Sequence, residues 1–281
     1  MINLLYGSSD FNDLLQECYL TQSSVLSGIE FLIKANLYDN KDGLFYSSFF
    51  NLSIGIERFL KIALVTEYMY SNNFQKPDYK FLTSKNHNLI TSFNDCADVF
   101  KKYGAEISHI DETHQAQELF NFLSTYAEKT RYQNLNKLTN SKKTDPIHPI
   151  HSWMNLSENY LRKYVKNEKI NTELLKHYSR YPSATGYTYH LDFNGFPLLA
   201  VDLIMYQYII KKSRPYILND LIQTLKPIYQ ILNRISLEAN NGINTDFSGK
   251  VPLPYYGDLF PFFYADIESF KKVKNWIHRY S

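Results

Sequence analysis

From about Leu44 to Tyr70 the chain reads as one helix that is apolar on most of its sides. A helix of that kind has to be surrounded, which puts it at the centre of a helical bundle. Its middle, SFFNLSIGIERFLKIALV, nevertheless carries Glu57 and Lys61 one turn apart on one face, acid before base. On a surface such a pair contributes only about 0.3–0.5 kcal/mol. In an apolar interior an unpaired charge costs several kcal/mol, so the pair needs further partners. Two later segments offer them: His87 in KNHNLITSF, and Arg131, Tyr132 and Asn134 in AEKTRYQNLNKL. Arg131, with five donors in a planar fork, is the natural third partner for Glu57. The set reads either as a structural ion network or as a functional site, since both gather charges in this way.

The helices around this central one follow from apolar spacing. Residues 10–36 place Phe11, Leu14, Leu15, Cys18, Val25, Leu26, Ile29, Leu32 and Ile33 at helical intervals, with Ser8, Ser9 or Asp10 able to cap the start. A loop is expected over 71–86, where Pro77 falls, then a helix from His87 to Tyr103 closed by Gly104, and another over 113–130. Short connections make these four neighbours antiparallel. Pro146 and Pro149 mark a loop over 139–151. Shorter helices are expected over 153–165 and 171–179. At Tyr181 the pattern changes. Tyr187, Tyr189, Leu191 and Phe193 share one parity before Asn194-Gly195, the signature of a small hairpin near 186–198. Helices then resume over 198–212 and 214–238, the second with Pro215 in its first turn. A Gly-, Pro- and Tyr-rich loop at 240–257 precedes a final helix over 259–280. The expectation is an all-α protein: a bundle over 1–165, and a helical region with one hairpin over 166–281.

Composition excludes several functional classes. Net charge is +2, with 30 basic and 28 acidic residues, so nothing draws the whole molecule to nucleic acid or anionic lipid. Any such binding needs a local patch, for which Lys137, Lys142 and Lys143 near Arg131 are the candidates. Two cysteines, Cys18 and Cys96, stand far apart, which argues for a reducing compartment and no disulfide framework. The first residues, MINLLYGSSDF, lack the form of a secretory signal, and no uninterrupted apolar run suits a membrane span. A soluble, cytoplasmic protein without membrane partners is expected.

The polar set and its context resemble the HEPN superfamily of helical, nucleic-acid-associated domains. Many HEPN-like bacterial proteins show an acid and a Lys one turn apart on the second helix, a His-x-Leu start to the third, and an Arg-Tyr near the end of the fourth. Here these are Glu57 and Lys61, His87 to Leu89, and Arg131-Tyr132. The continuation TRYQNLNKLTNSKKTDPIHPIHSW is similar to uncharacterised bacterial proteins with TRY-x-NLD, then LTG, then DP and a Trp. The likeness covers roughly residues 10–165. It implies a HEPN-like four-helix bundle that pairs as a homodimer and associates with RNA in a bacterial stress, toxin–antitoxin or phage-defence system, with a protein encoded in the same operon as a possible partner. A scaffold or dimerisation module without a nucleic acid ligand is the alternative. HEPN ribonucleases carry an Arg followed a few residues later by His on the last helix. No His here has an Arg five to seven positions before it, and Arg180 to His190 is too long. The metal-independent RNase motif is therefore absent, and catalytic residues remain unassigned.

Other constellations carry less. His109, Asp111 and His114, and Asp145, His148 and His151, supply ligand types for a metal without a framework to hold one, so no metal is expected. No Gly-rich phosphate loop and no Gly-x-Ser-x-Gly elbow occurs, and no cofactor is implied. Cys96 lies inside an amphipathic helix, as a buried inert thiol would. The stretch VPLPYYGDLFPFFYAD, 251–266, offers either stacking faces for recognition or rings that cover the C-terminal helices.

Overall fold

The computed structural model describes residues 9–37, 41–83, 87–110, 114–139, 148–181, 186–191, 196–241 and 252–281, with the side chains of Ser9, Thr83, His114, Gln115, Gln133, Asn134, Lys137, His177 and Leu191 excepted. Its elements in order are helices α1 (Ser9–Lys34), α2 (Gly43–Ser71), α3 (Tyr79–Thr83), α4 (Leu89–Phe100), α5 (His114–Glu128), α6 (Gln133–Leu138), α7 (Pro149–Tyr164) and α8 (Asn167–Arg180). Strands β1 (Tyr187–Leu191) and β2 (Pro197–Leu199) follow, then α9 (Ala200–Asn241), α10 (Tyr256–Leu259), α11 (Ile267–Lys272) and α12 (Trp276–Tyr280). Among the described residues the fold is all-α apart from one antiparallel hairpin, in which Tyr187 faces Leu199 and Leu191 faces Pro197. Among the described residues no helix is long and apolar enough to cross a membrane.

Helix ends follow local chemistry. Asn88 caps α4 by accepting from the Thr91 nitrogen at 3.0 Å, so His87 stands outside the helix it was expected to begin. Gly104, at φ 72, ends the turn that follows α4. His148 accepts from the Ile150 nitrogen and Pro149 occupies the first turn, so α7 starts there and not at Trp153. One helical turn, α3, interrupts the loop expected over 71–86.

Two expectations need correction in the C-terminal half. The helices expected over 198–212 and 214–238 are one helix of 42 residues, with Pro215 and Pro227 inside it. An interior proline costs about 3 kcal/mol, whereas each large aliphatic side chain taken from water contributes about 1.5–3 kcal/mol. Ile217, Leu218, Leu221, Ile222, Leu225, Ile228 and Leu232 are all buried along α9, so burial outweighs both prolines. Conversely, the single helix expected over 259–280 is a series of short turns. Pro261 opens a 3₁₀ turn, and Asp266 starts α11 afresh by accepting from the Ser269 nitrogen at 2.8 Å.

The central position expected for α2 is what the packing shows, with α1, α4, α5 and α9 against it. One hydrophobic core runs from Leu14 to Trp276 and does not stop at residue 165. Its C-terminal contribution is the aromatic stretch: Phe260 and Phe263 stand 5.7 and 5.0 Å from the Phe59 ring of α2, and Tyr256 hydrogen-bonds Thr66. Only Tyr255 and Tyr264 of its rings are substantially exposed, so this segment is core and not a recognition surface. Cys18 and Cys96 are buried free thiols, and burial pushes the Cys18 thiol far above its ordinary range.

The tightest contact lies between α1 and α2, which run antiparallel. A Cβ added at Gly28 would meet the Leu52 side chain and backbone at 2.8–2.9 Å, and one at Gly55 would meet Val25 at 2.7–3.0 Å. Alanine would gain about 1 kcal/mol of helix propensity at Gly55 but overpack the contact at about 1–3 kcal/mol. Gly55→Ala is therefore expected to destabilise the protein on urea unfolding. Gly43→Ala, where a Cβ meets nothing within 4 Å, should be tolerated.

Candidate functional site

Along α2 the side chains of Phe50, Ile54, Glu57, Arg58, Lys61 and Val65 recur every three or four residues, so they share one stripe, and none of them is fully buried. This stripe forms one wall of a half-open cleft of about 650 Å³. Asp10, Asp13, Leu14 and Glu17 of α1 form the facing wall, Lys76, Pro77, Leu82 and His87 one side, and Ala127 and Arg131 the rim. Leu14, Ile62 and Met69 make the floor apolar.

The charges of the cleft are paired across and along it. Lys61 Nζ lies 2.7 Å and His87 Nδ1 2.9 Å from the same oxygen, Oε1 of Glu57. Arg58 pairs with Glu17, and Lys76 Nζ is 3.1 Å from Asp10 Oδ1. Arg131 lies over the Tyr132 ring, 4.9 Å from its centroid, and no carboxylate among the described residues pairs with it. Among the described residues the only hydroxyl lining the cleft, that of Ser53, donates to the Phe49 and Leu123 carbonyls at 2.7 and 3.0 Å.

Glu57, Lys61, His87 and Arg131 thus border one cavity, but Glu57 finds its third partner in His87 and not in Arg131. Nor is the set a fully interior network: the Glu57 and Lys61 side chains are mostly covered but reach solvent, 15% and 24% exposed, and His87 is exposed. Tyr132 is exposed on the 3₁₀ turn before α6. Asn134 and Lys137 lie in α6 with their side chains outside the description, and Lys142 and Lys143 fall outside the described residues. Of the histidines weighed as ligands, His109 pairs with Asp98 at 2.9 Å, and His148 caps α7 while its Nε2 stands 3.0 Å from the Tyr46 hydroxyl. Asp111 and Asp145 lie outside the described residues.

Two features escaped the sequence reading. The acids of α1 are spaced 10, 13, 17, a helical stripe that is visible in DFNDLLQE once that segment is read for charge as well as apolarity. The charge that α2 does bury is Glu67, 7% exposed. It pairs with Lys102 and accepts from the hydroxyls of Ser71 and Tyr103 at 2.6 and 3.1 Å. Burial by itself would lower the Lys102 ammonium, but the hydrogen bond and charge of Glu67 outweigh it and hold its pKa above the ordinary value. That stabilisation is present below the ordinary lysine range and is lost as pH rises through the elevated folded value.

Comparison of the chain with protein-family models, with curated proteins and with solved structures gives no match.

The two glutamates of α2 are expected to differ on urea unfolding. Glu57→Gln should cost less than about 1 kcal/mol, as for partly exposed pairs. Glu67→Gln should cost about 1–3 kcal/mol, because a buried, charge-assisted set loses its acceptor. Equal costs would show that the cleft charges are as structural as the buried ones.

Proposed function

We propose that this chain is a non-catalytic binding module, built on a HEPN-like bundle, that pairs with a second copy of itself through the α1–α2 cleft. The observation that carries the reading is an apolar-floored cleft with a balanced charged rim, bordered by apolar side chains that have no place in their own core. Phe50 and Leu82 on its walls are exposed, and just beyond Arg131 the helix α6 leaves Leu135 and Leu138 60% and 81% exposed. Leu135 and Leu138 are three apart and share one face. In a two-fold pair, α6 of each copy can seat on the cleft of the other, so that each subunit supplies both halves of the contact.

Charge supports a protein occupant over a phosphate backbone. Of the four Lys and Arg side chains described at the cleft, Arg58, Lys61 and Lys76 already face carboxylates, which leaves little net positive field for nucleic acid. A chain with net charge +2 can dock on itself without strong repulsion. No catalytic step belongs to this reading, since the Arg-to-His spacing of HEPN ribonucleases is absent from the sequence. The setting in a bacterial stress, toxin or phage-defence system, and any RNA association there, rest on the resemblance carried by Glu57, Lys61, His87 and the TRY segment.

Sedimentation at micromolar concentration tests this reading. A mass of about twice 33.1 kDa is expected for the native chain, since a stable pair buries roughly 1,000 Å² or more in total. The Leu135→Glu/Leu138→Glu variant, altered only at exposed positions, should sediment as a monomer, and so should Phe50→Glu on the receiving side. A native chain that is monomeric, or variants that remain dimeric, would sink the proposal.

A further inference from the structure

A second cleft, of about 930 Å³, lies between the C-terminal end of α8, the hairpin and the first half of α9, beyond the segment that resembles HEPN proteins. Its chemistry is the opposite of the first. Arg180, Lys211 and Lys212 line it together with His190, and no carboxylate among the described residues does. Glu173, set back from the cleft, holds one cation in place: its Oε2 is 2.7 Å from Lys212 Nζ and accepts from the Tyr208 hydroxyl at 2.8 Å. Arg180 and Lys211 have no carboxylate partner among the described residues, and both are exposed.

Between these cations stand rings and an apolar floor. Tyr189, on β1, is fully exposed and Tyr181 is half exposed, while Leu203 and Ile204 of α9 lie beneath. A solvent-facing tyrosine on a two-stranded hairpin gains nothing from the core, yet it presents a flat face to a planar ring. The cleft is half-open like the first, and its volume falls within the usual size of a small-molecule site, about 300–1,000 Å³. Cations bind phosphate oxygens, and tyrosine faces stack on bases.

We infer that the α8–hairpin–α9 cleft binds a nucleoside phosphate, its phosphates held by Arg180 and Lys211 and its base stacked on Tyr189 and Tyr181. The same chemistry is offered by a free nucleotide and by the phosphorylated end of a nucleic acid strand; a volume of small-molecule size favours the free nucleotide. The site is independent of the pairing proposed above, because none of its lining residues belongs to the α1–α2 cleft or to α6.

Calorimetric titration of the full chain decides the matter, with adenosine diphosphate, adenosine, inorganic phosphate and a 5′-phosphorylated oligothymidine as probes. Adenosine diphosphate is expected to bind at least about tenfold more tightly than either adenosine or phosphate, because only it uses both halves of the cleft. Arg180→Glu and Lys211→Glu should each weaken it about tenfold or more. Tyr189→Ala should weaken the diphosphate and leave inorganic phosphate unchanged. All three positions are exposed, so an unchanged thermal melt is expected to accompany these losses. The Leu135→Glu/Leu138→Glu variant should bind as the native chain does, which separates this site from the dimer. Absence of diphosphate binding, indifference to Arg180→Glu and Lys211→Glu, or an undiminished affinity in Tyr189→Ala would each overturn the inference. So would tight binding of the oligothymidine alone, which would make the cleft a strand-end site.

Discussion

The close crossing of α1 and α2 sets the geometry on which the rest depends. Gly28 lies under Leu52 and Gly55 under Val25, and the same antiparallel alignment carries Glu17 to Arg58. Ser48 reinforces the approach by donating to the Gly28 carbonyl at 2.7 Å. Once two backbones meet this closely, the stripes flanking the contact are fixed in register. The acids at 10, 13 and 17 on α1 then face the stripe 50, 54, 57, 58, 61 and 65 on α2. A side chain at either glycine would move those walls apart together with the core, because close-packed interiors transmit such strain.

The two clefts differ because of where their carboxylates sit. In the α1–α2 cleft the acids line the cavity itself, so each cation they face is neutralised locally and the apolar floor dominates. At the hairpin, Glu173 lies behind the wall and fixes Lys212 and Tyr208 from the rear. Lys212 and Tyr208 hold its carboxyl below the usual range, so it stays ionised at neutral pH. Arg180 and Lys211 face no carboxylate among the described residues. A net charge of +2 conceals this division, since a neutral sum can come from one balanced cleft and one basic one.

How much of this was legible depended on whether the deciding interaction was local. Apolar periodicity marked α1, α2 and the hairpin, and Gly104 marked the end of the segment after α4, because each signal lies within its own element. The continuity of α9 was hidden, since Pro215 and Pro227 speak locally for a break and only the burial of Ile217 to Leu232 in the tertiary core overrides them. The rule that a charge buried on an apolar helix must be paired does not by itself say which charge is buried. It holds for Glu67, whose partners Lys102 and Tyr103 come from a remote turn, whereas Glu57 sits on the one stripe of α2 that faces a cleft. Glu57, Lys61 and His87 were nevertheless brought together as expected, because Asn88 caps α4 and leaves His87 free to reach back to α2.

Beside the shared hydrophobic core, a buried charge with no carboxylate partner among the described residues also ties the two halves of the chain together. Arg214 of α9 is buried and donates to the carbonyls of Ile33 and Ala35, at the end of α1 where helix carbonyls have no partners of their own. The negative end of the helix dipole stands in for a carboxylate there, although burial still pulls the guanidinium down to about 10. Close by, the Leu37 nitrogen donates to Gln207 Oε1, and Gln207 lines the hairpin cleft. Helix α1 therefore has one cleft against its first turns and the other just past its last. At about 1.5 Å per residue its 26 residues span about 39 Å. That is far beyond the Debye length of about 8 Å at physiological salt, so charge placed in one cleft has little direct field in the other. Any coupling between a partner at the first and a nucleotide at the second has to pass mechanically, through α1 and its clasp by Arg214.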